Sequence, residues 1–139
     1  MTATIAFDLV TPDRLLKSEP VEMVVVPGSE GDMGVLPGHS LLIGNVRPGL
    51  VVIFEGGRAI ERIFVAGGLV DVRPDRCTVL AVEARPLAEI GMPEAETRLA
   101  RAREALSDAT TDAAKAVAMR RIHVAETLLS LLDQRPAPQ

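Results

Sequence analysis

Ile5, Phe7 and Leu9 alternate with Ala6, Asp8 and Val10 near the start of the chain, the period of two expected of a half-buried strand. Thr11-Pro12-Asp13 breaks the rhythm, and Arg14 to Lys17 predicts a short second piece. Val21 to Val26, stopped by Pro27-Gly28, and Leu41 to Val46, stopped by Pro48-Gly49, are short apolar runs, the pattern of strands buried on both faces. Leu50 to Glu55 and Arg58 to Val65 flank Gly56-Gly57, a two-residue loop suited to a type I′ or II′ hairpin turn. Ala66-Gly67-Gly68 predicts a bulge or sharp corner. Leu69 to Val72 and Cys77 to Ala84 then predict strands on either side of a turn at Pro74-Asp75-Arg76. Breaks recur every roughly eight to twelve residues, and no helical period intervenes, so this part of the chain predicts an all-β sandwich or flattened barrel of about ten strands.

After Arg85-Pro86 the period changes. From Pro93 onward the chain is rich in Ala, Glu, Arg and Leu, all strong helix formers. Pro93 suits a first helical turn, and Glu94 and Glu96 suit the positive end of the helix dipole. Ala95, Leu99, Ala102 and Leu106 make one narrow apolar stripe. Thr111 or Asp112 can cap a second helix, in which Ala118, Ile122, Ala125, Leu129 and Leu132 repeat the spacing and Pro136-Ala137-Pro138 ends it. Two helices with a short connection are antiparallel neighbours. The expectation is an α+β chain: a β-sandwich domain over residues 1–86 and a C-terminal two-helix hairpin over residues 87–139.

Composition narrows the chemistry. The chain has 139 residues and a net charge of −4, with three Phe, no Trp and no Tyr. It offers neither the basic footprint nor the stacking platforms of a nucleic-acid binder. A single cysteine, Cys77, cannot form an internal disulfide and reads as a small buried hydrophobe. The chain opens without a charged and apolar leader pattern, which fits a reducing compartment rather than secretion. No apolar run approaches the ~20 residues of a membrane span, so any membrane association is expected through a partner.

The block from Gly28 to His39 holds four glycines and a proline, together with Glu30, Asp32, Met33 and His39. Those glycines demand repeated sharp turning. No phosphate-loop motif is present, and Glu30 and Asp32 stand where a phosphate cradle wants Lys and bare amides. Metal ligation by Glu30, Asp32 and His39 lacks a second histidine or cysteine at ligand spacing. No nucleophile elbow, Cys/His pair or acid–base dyad stands out. Arg98, Arg101, Arg103, Arg120 and Arg121 form a basic population on the helices, read either as a solvated face balanced by Glu94, Glu96, Glu104 and Glu126 or as a docking surface for an acidic partner. The residues therefore predict an interaction protein without catalytic site, cofactor or metal.

Phe7-Asp8-Leu9-Val10-Thr11-Pro12, the Gly28–His39 block, Arg47-Pro48-Gly49 and Ala66-Gly67-Gly68-Leu69-Val70-Asp71-Val72 together resemble, in order, the epsilon subunits of F-type, proton-translocating ATP synthases. The likeness covers residues 5 to about 84 and carries expectations of its own. It implies a central-stalk rotor subunit that binds the gamma subunit and sits on the ring of c subunits, coupling proton flow to ATP synthesis in the alpha–beta hexamer. It puts Glu30, Gly31, Asp32, Met33 and His39 against the c-ring and the apolar outer surface of the sandwich against gamma. It implies a hairpin that reaches alpha and beta and can extend to brake ATP hydrolysis, here a secondary expectation. It also implies a peripheral position on the cytoplasmic face of a bacterial inner membrane. The C-terminal third departs from the family. Some relatives bind ATP through an apolar residue, Asp, two variable positions, Arg and Ala; the matching stretch, Met92 to Thr97, has Pro93 for the Asp and Glu96 for the Arg. An anion beside a triphosphate reverses the Coulomb term, so no ATP binding is expected. The alternative reading is a stand-alone β-sandwich module that binds a ligand and is indifferent to gamma.

Overall fold

The computed structural model describes residues 3–134, so the Pro136-Ala137-Pro138 helix stop lies outside the described residues. The strands are β1 Ile5–Val10, β2 Leu15–Val21, β3 Met23–Gly28, β4 Gly31–Val35, β5 Leu42–Val46, β6 Gly49–Glu55, β7 Arg58–Val65, β8 Gly68–Val72, β9 Arg76–Ala81 and β10 Ala84–Pro86. After a 3₁₀ turn at Leu87–Glu89 come α1, Met92–Asp108, and α2, Asp112–Asp133. This is the α+β order of a β-sandwich followed by a helical hairpin. The chain divides into two compact units, residues 1–87 and 88–139.

In the first unit the hydrogen-bonded order is β10-β7-β6-β3-β5-β8-β9-β1-β2, with β4 beside β3. All pairs are antiparallel except β1 with β9. The sandwich nearly closes because β3 changes neighbour along its length: Val24 pairs with Ile53 of β6, and Gly28 with Val46 of β5. Inward residues alternate along each strand and meet in one core, with Phe7, Leu9, Val24, Val26, Ile53 and Val79 almost or wholly inaccessible. Across the opposite seam Lys17 of β2 reaches Glu61 of β7 at 2.9 Å and Glu19 at 3.3 Å.

Several expected elements sit as the pattern placed them. Gly56 and Gly57 carry φ of 60° and 74°, the double positive φ of a type I′ turn. The Ala66-Gly67-Gly68 corner joins β7 to β8, and Thr111 caps α2, its hydroxyl accepting from the Ala114 N–H at 3.0 Å. Others need correction. The second strand is longer than Arg14–Lys17 and takes in Pro20 and Val21, Pro20 being paired with Ala6 of β1. Among the described residues that strand has no neighbour beyond β1, so proline sits on a sheet edge, where its missing donor costs no ladder bond. The run Val21 to Val26 is therefore split by Glu22 between β2 and β3. Nor is Leu41 to Val46 buried on both faces: Leu41 and Ile43 are 74% and 76% exposed. β5 lies at the edge of its half of the sandwich and touches β3 only at its end. The last strand stops at Ala81, and Ala84–Pro86 turns away to pair with β7.

In the second unit, α1 buries Ala95 and Ala102, and α2 buries Ala118, Ala125, Leu128 and Leu132. Leu128, rather than the expected Leu129, is the buried member of that turn; Leu129 and Ile122 are half-buried.

Candidate functional site

The Gly28–His39 block is not one loop. It contains a whole strand, β4, folded back on β3 through Ser29-Glu30, with Gly28 opposite Gly31, Pro27 opposite Asp32 and Val26 opposite Met33. The apolar residues Met33 and Val35 were too few and too interrupted by glycine to show a period of two. The positive φ needed to close this turn falls on Gly31, at 137°, leaving Ser29 and Glu30 in ordinary backbone.

The hairpin separates the predicted residues into two groups. Glu30, Gly31, Asp32 and Met33 lie at the tip or on the first half of β4, beside a groove of about 430 Å³ shared with Leu42 to Asn45. His39 follows the other end of β4, in a turn where its N–H donates to Leu36 O at 3.2 Å and the Gly38 N–H donates to Pro74 O at 2.7 Å. The length of the strand, roughly 15 Å, divides His39 from Glu30. Its Nδ1 lies 2.7 Å from the carbonyl oxygen of Ser40. Among the described residues no group of three His, Cys, Asp or Glu side chains is placed to hold a metal.

Electrostatics at the tip are set by Arg47, whose part sequence reasoning missed. Its Nη2 donates to Asp32 Oδ1 at 2.6 Å and its Nη1 to Gly28 O at 2.5 Å. These partners stand 15 and 19 residues earlier in the chain, beyond the reach of any local pattern. Glu30, exposed, has no such cation among the described residues.

A second surface was also out of reach of local reading. Leu69 on β8 stands opposite Leu80 on β9, Leu80 opposite Val10 on β1, and Val10 opposite Leu15 on β2. These side chains point away from the core and form one apolar row across four strands. Leu69 and Leu80 are each 48% exposed and Leu15 58%. The neighbouring row is polar: Asp8 accepts from Ser18 Oγ at 2.7 Å and pairs with Arg76.

Cys77 faces inward from β9 and is buried. Burial first, and the Asp71 carboxylate second, push its thiol up to about 12. In the helical unit, Arg98 and Arg101 of α1 and Arg121 of α2 line a groove of about 600 Å³ together with Pro93 and Glu94.

Polar residues at the tip and an exposed apolar row on the sheet are the kind of surface with which a protein docks on partners. The comparisons identify the family. The family model "ATP synthase, Delta/Epsilon chain, beta-sandwich domain" matches residues 4–86. An ATP synthase epsilon chain from Rhodospirillum rubrum is 50% identical over 130 residues, covering 94% of this chain and 97% of its own. One from Paramagnetospirillum magneticum is 48% identical over 128 residues, covering 92% and 96%. A chain in the cryo-EM structure of the Euglena gracilis mitochondrial ATP synthase, OSCP/F1/c-ring, superposes with a TM-score of 0.77 at 29% identity, covering 94% of this chain and 82% of that one. The chain belongs to the epsilon chains of ATP synthase, non-catalytic subunits of that complex, in the portion peripheral to the membrane.

Proposed function

We propose that the chain is a rotor subunit of the central stalk, held to gamma by its apolar row and set against the c-ring by its hairpin tip, so that proton flow through the ring turns the stalk. The observation that carries this reading is the row Leu69, Leu80, Val10 and Leu15, its leucines exposed and Val10 half-buried between them, continuous across β8, β9, β1 and β2. An apolar ridge of this kind supplies the buried area of a stable interface. Glu30 and Asp32 at the tip supply charge that favours register and orientation over affinity. In the same reading the helical hairpin meets alpha and beta, and the subunit works at the cytoplasmic face of a bacterial inner membrane. No helix among the described residues is long and apolar enough to cross a membrane, and attachment comes through the complex.

The test is co-purification. Wild-type chain should form a stable complex with gamma. Leu69→Asp together with Leu80→Asp should lower that affinity by about 10- to 100-fold, since each leucine, 48% exposed in the free chain, forfeits roughly half of the ~1.5–3 kcal/mol that full burial of its side chain supplies. The free chain should stay folded at the assay temperature with a thermal midpoint lowered by several degrees, because both leucines are also half-buried in it, so gamma binding is read below that midpoint. Unchanged gamma binding would move the interface elsewhere; a wild-type chain indifferent to gamma would favour the ligand-binding alternative.

A further inference from the structure

A two-stranded ribbon is a poor lever. Among the described residues β4 has β3 as its only neighbour, and beyond Val25 the β3 strand pairs onward only at Gly28, with Val46 of β5; a hairpin end held so lightly is marginally stable in water. If the tip carried its carboxylates on so loose an arm, ordering it would oppose docking. Three contacts, four hydrogen bonds in all, tie the tip to the end of β5 and the corner after it. The Ser29 N–H donates to Asn45 O at 2.9 Å, and the Arg47 N–H donates to Pro27 O at 2.8 Å. The third is the Arg47 guanidinium, which forks between the strands: Nη1 to the Gly28 carbonyl on β3, Nη2 to the Asp32 carboxylate on β4. Gly28 and Asp32 flank the turn diagonally, so the fork closes the base of the tip in the way a planar guanidinium can and a point-charge ammonium cannot.

We infer that Arg47 is the positioning residue of the docking hairpin: it fixes the angle of the tip and settles which charges the tip presents. Asp32 Oδ1 is occupied by Arg47, and Asp32 Oδ2, on a side chain 63% exposed, has no partner among the described residues. Glu30 thus keeps the full charge at the turn, while Asp32 offers an oriented acceptor. The partner that fits is a polar loop with a hydrogen-bond donor for Asp32 and a cation or amide for Glu30. This inference rests on the proposed c-ring role of the tip.

The test uses complex depleted of this subunit, with the chain added back. The readout is the chain concentration that half-restores ATP-driven proton pumping. Arg47→Lys should raise that concentration by about three- to fivefold, the range of a partly exposed charge pair. Affinity for isolated gamma should stay unchanged, as should the thermal midpoint to within about 2 °C. The same substitution made on top of Glu30→Ala with Asp32→Ala should add nothing, because Arg47 acts through those groups. An equal loss in both backgrounds would overturn the inference and leave Arg47 a merely structural residue. No loss from Arg47→Lys, where the Glu30→Ala, Asp32→Ala pair alone impairs pumping, would overturn it while the docking role stands. If that pair alone has no effect, the docking role itself fails, and the inference falls with it.

Discussion

Gly68 shows how much a single residue can decide. Its φ is 153°, and a Cβ there would lie 2.0 Å from Leu80 O and 2.9 Å from Ala81 Cα. Both are backbone atoms of β9, so nothing can swing aside. Gly68→Ala should therefore cost well over ~2 kcal/mol and lower the thermal midpoint by roughly 10 °C, measured by calorimetry. Cys77 makes a second prediction at this scale. Its thiol sits at about 12 in the folded chain, against about 8.5 when unfolded. Between those values the folded chain binds more protons than the unfolded one, so stability is complete below about pH 8.5 and falls as pH rises, by up to ~1.4 kcal/mol per unit. Lys17 extends the loss above 10.5: burial opposes its charge, but the hydrogen bonds to Glu61 and Glu19 outweigh burial and raise it. Denaturant midpoints measured from pH 7 to 11 should fall steeply above about 8.5, and Cys77→Ala should flatten that fall. The buried character of Cys77 was legible in the sequence, from an apolar strand position. The constraint on Gly68 was legible only as a corner, since what forbids a side chain is Leu80, on another strand.

At the scale of elements, the hairpins show what local pattern can reach. The β6–β7 hairpin was legible because its strands are long and its turn is two glycines. The β3–β4 hairpin was not, because β4 is short, glycine-rich and mostly exposed, with only Val35 buried. The apparent docking loop resolved into a tip, with Glu30 to Met33, and a separate turn with His39. The helices carry a similar division. Their stripe was legible, yet the groove joining Arg98, Arg101 and Arg121 depends on the pairing of α1 with α2. Three cations there weaken the objection raised by Glu96 alone, which is not among the groove's lining residues. Two features still oppose a triphosphate: the Glu94 carboxylate in the lining, and Pro93, which removes one N–H from the donors at the start of α1. Titration calorimetry of the chain with Mg-ATP should show no sub-millimolar affinity; such affinity would show that the arginines prevail.

For the whole molecule, the two units differ in how they can be stable. The sandwich has one continuous core to which all ten strands contribute. The helical unit buries mainly alanine, with Leu128 and Leu132 on α2, an apolar area too small at ~25 cal/mol per Å² to offset the ordering of some forty residues. The sandwich, residues 1–87, should unfold cooperatively by itself, while a peptide of residues 88–139 should be mostly unfolded in dilute buffer; a fully helical circular dichroism spectrum of that peptide would contradict this. The sequence by itself determined what depends on neighbours along the chain: strand periods, turn glycines, helix caps and the order of sandwich and hairpin. It also held enough family motifs to place the chain among epsilon chains. Only the tertiary structure decided the features built from distant residues: the row Leu69, Leu80, Val10 and Leu15, the Arg47 fork and the separation of His39 from Glu30. Strand pairing brings those residues together, and pairing between strands far apart in the chain leaves no local period to read.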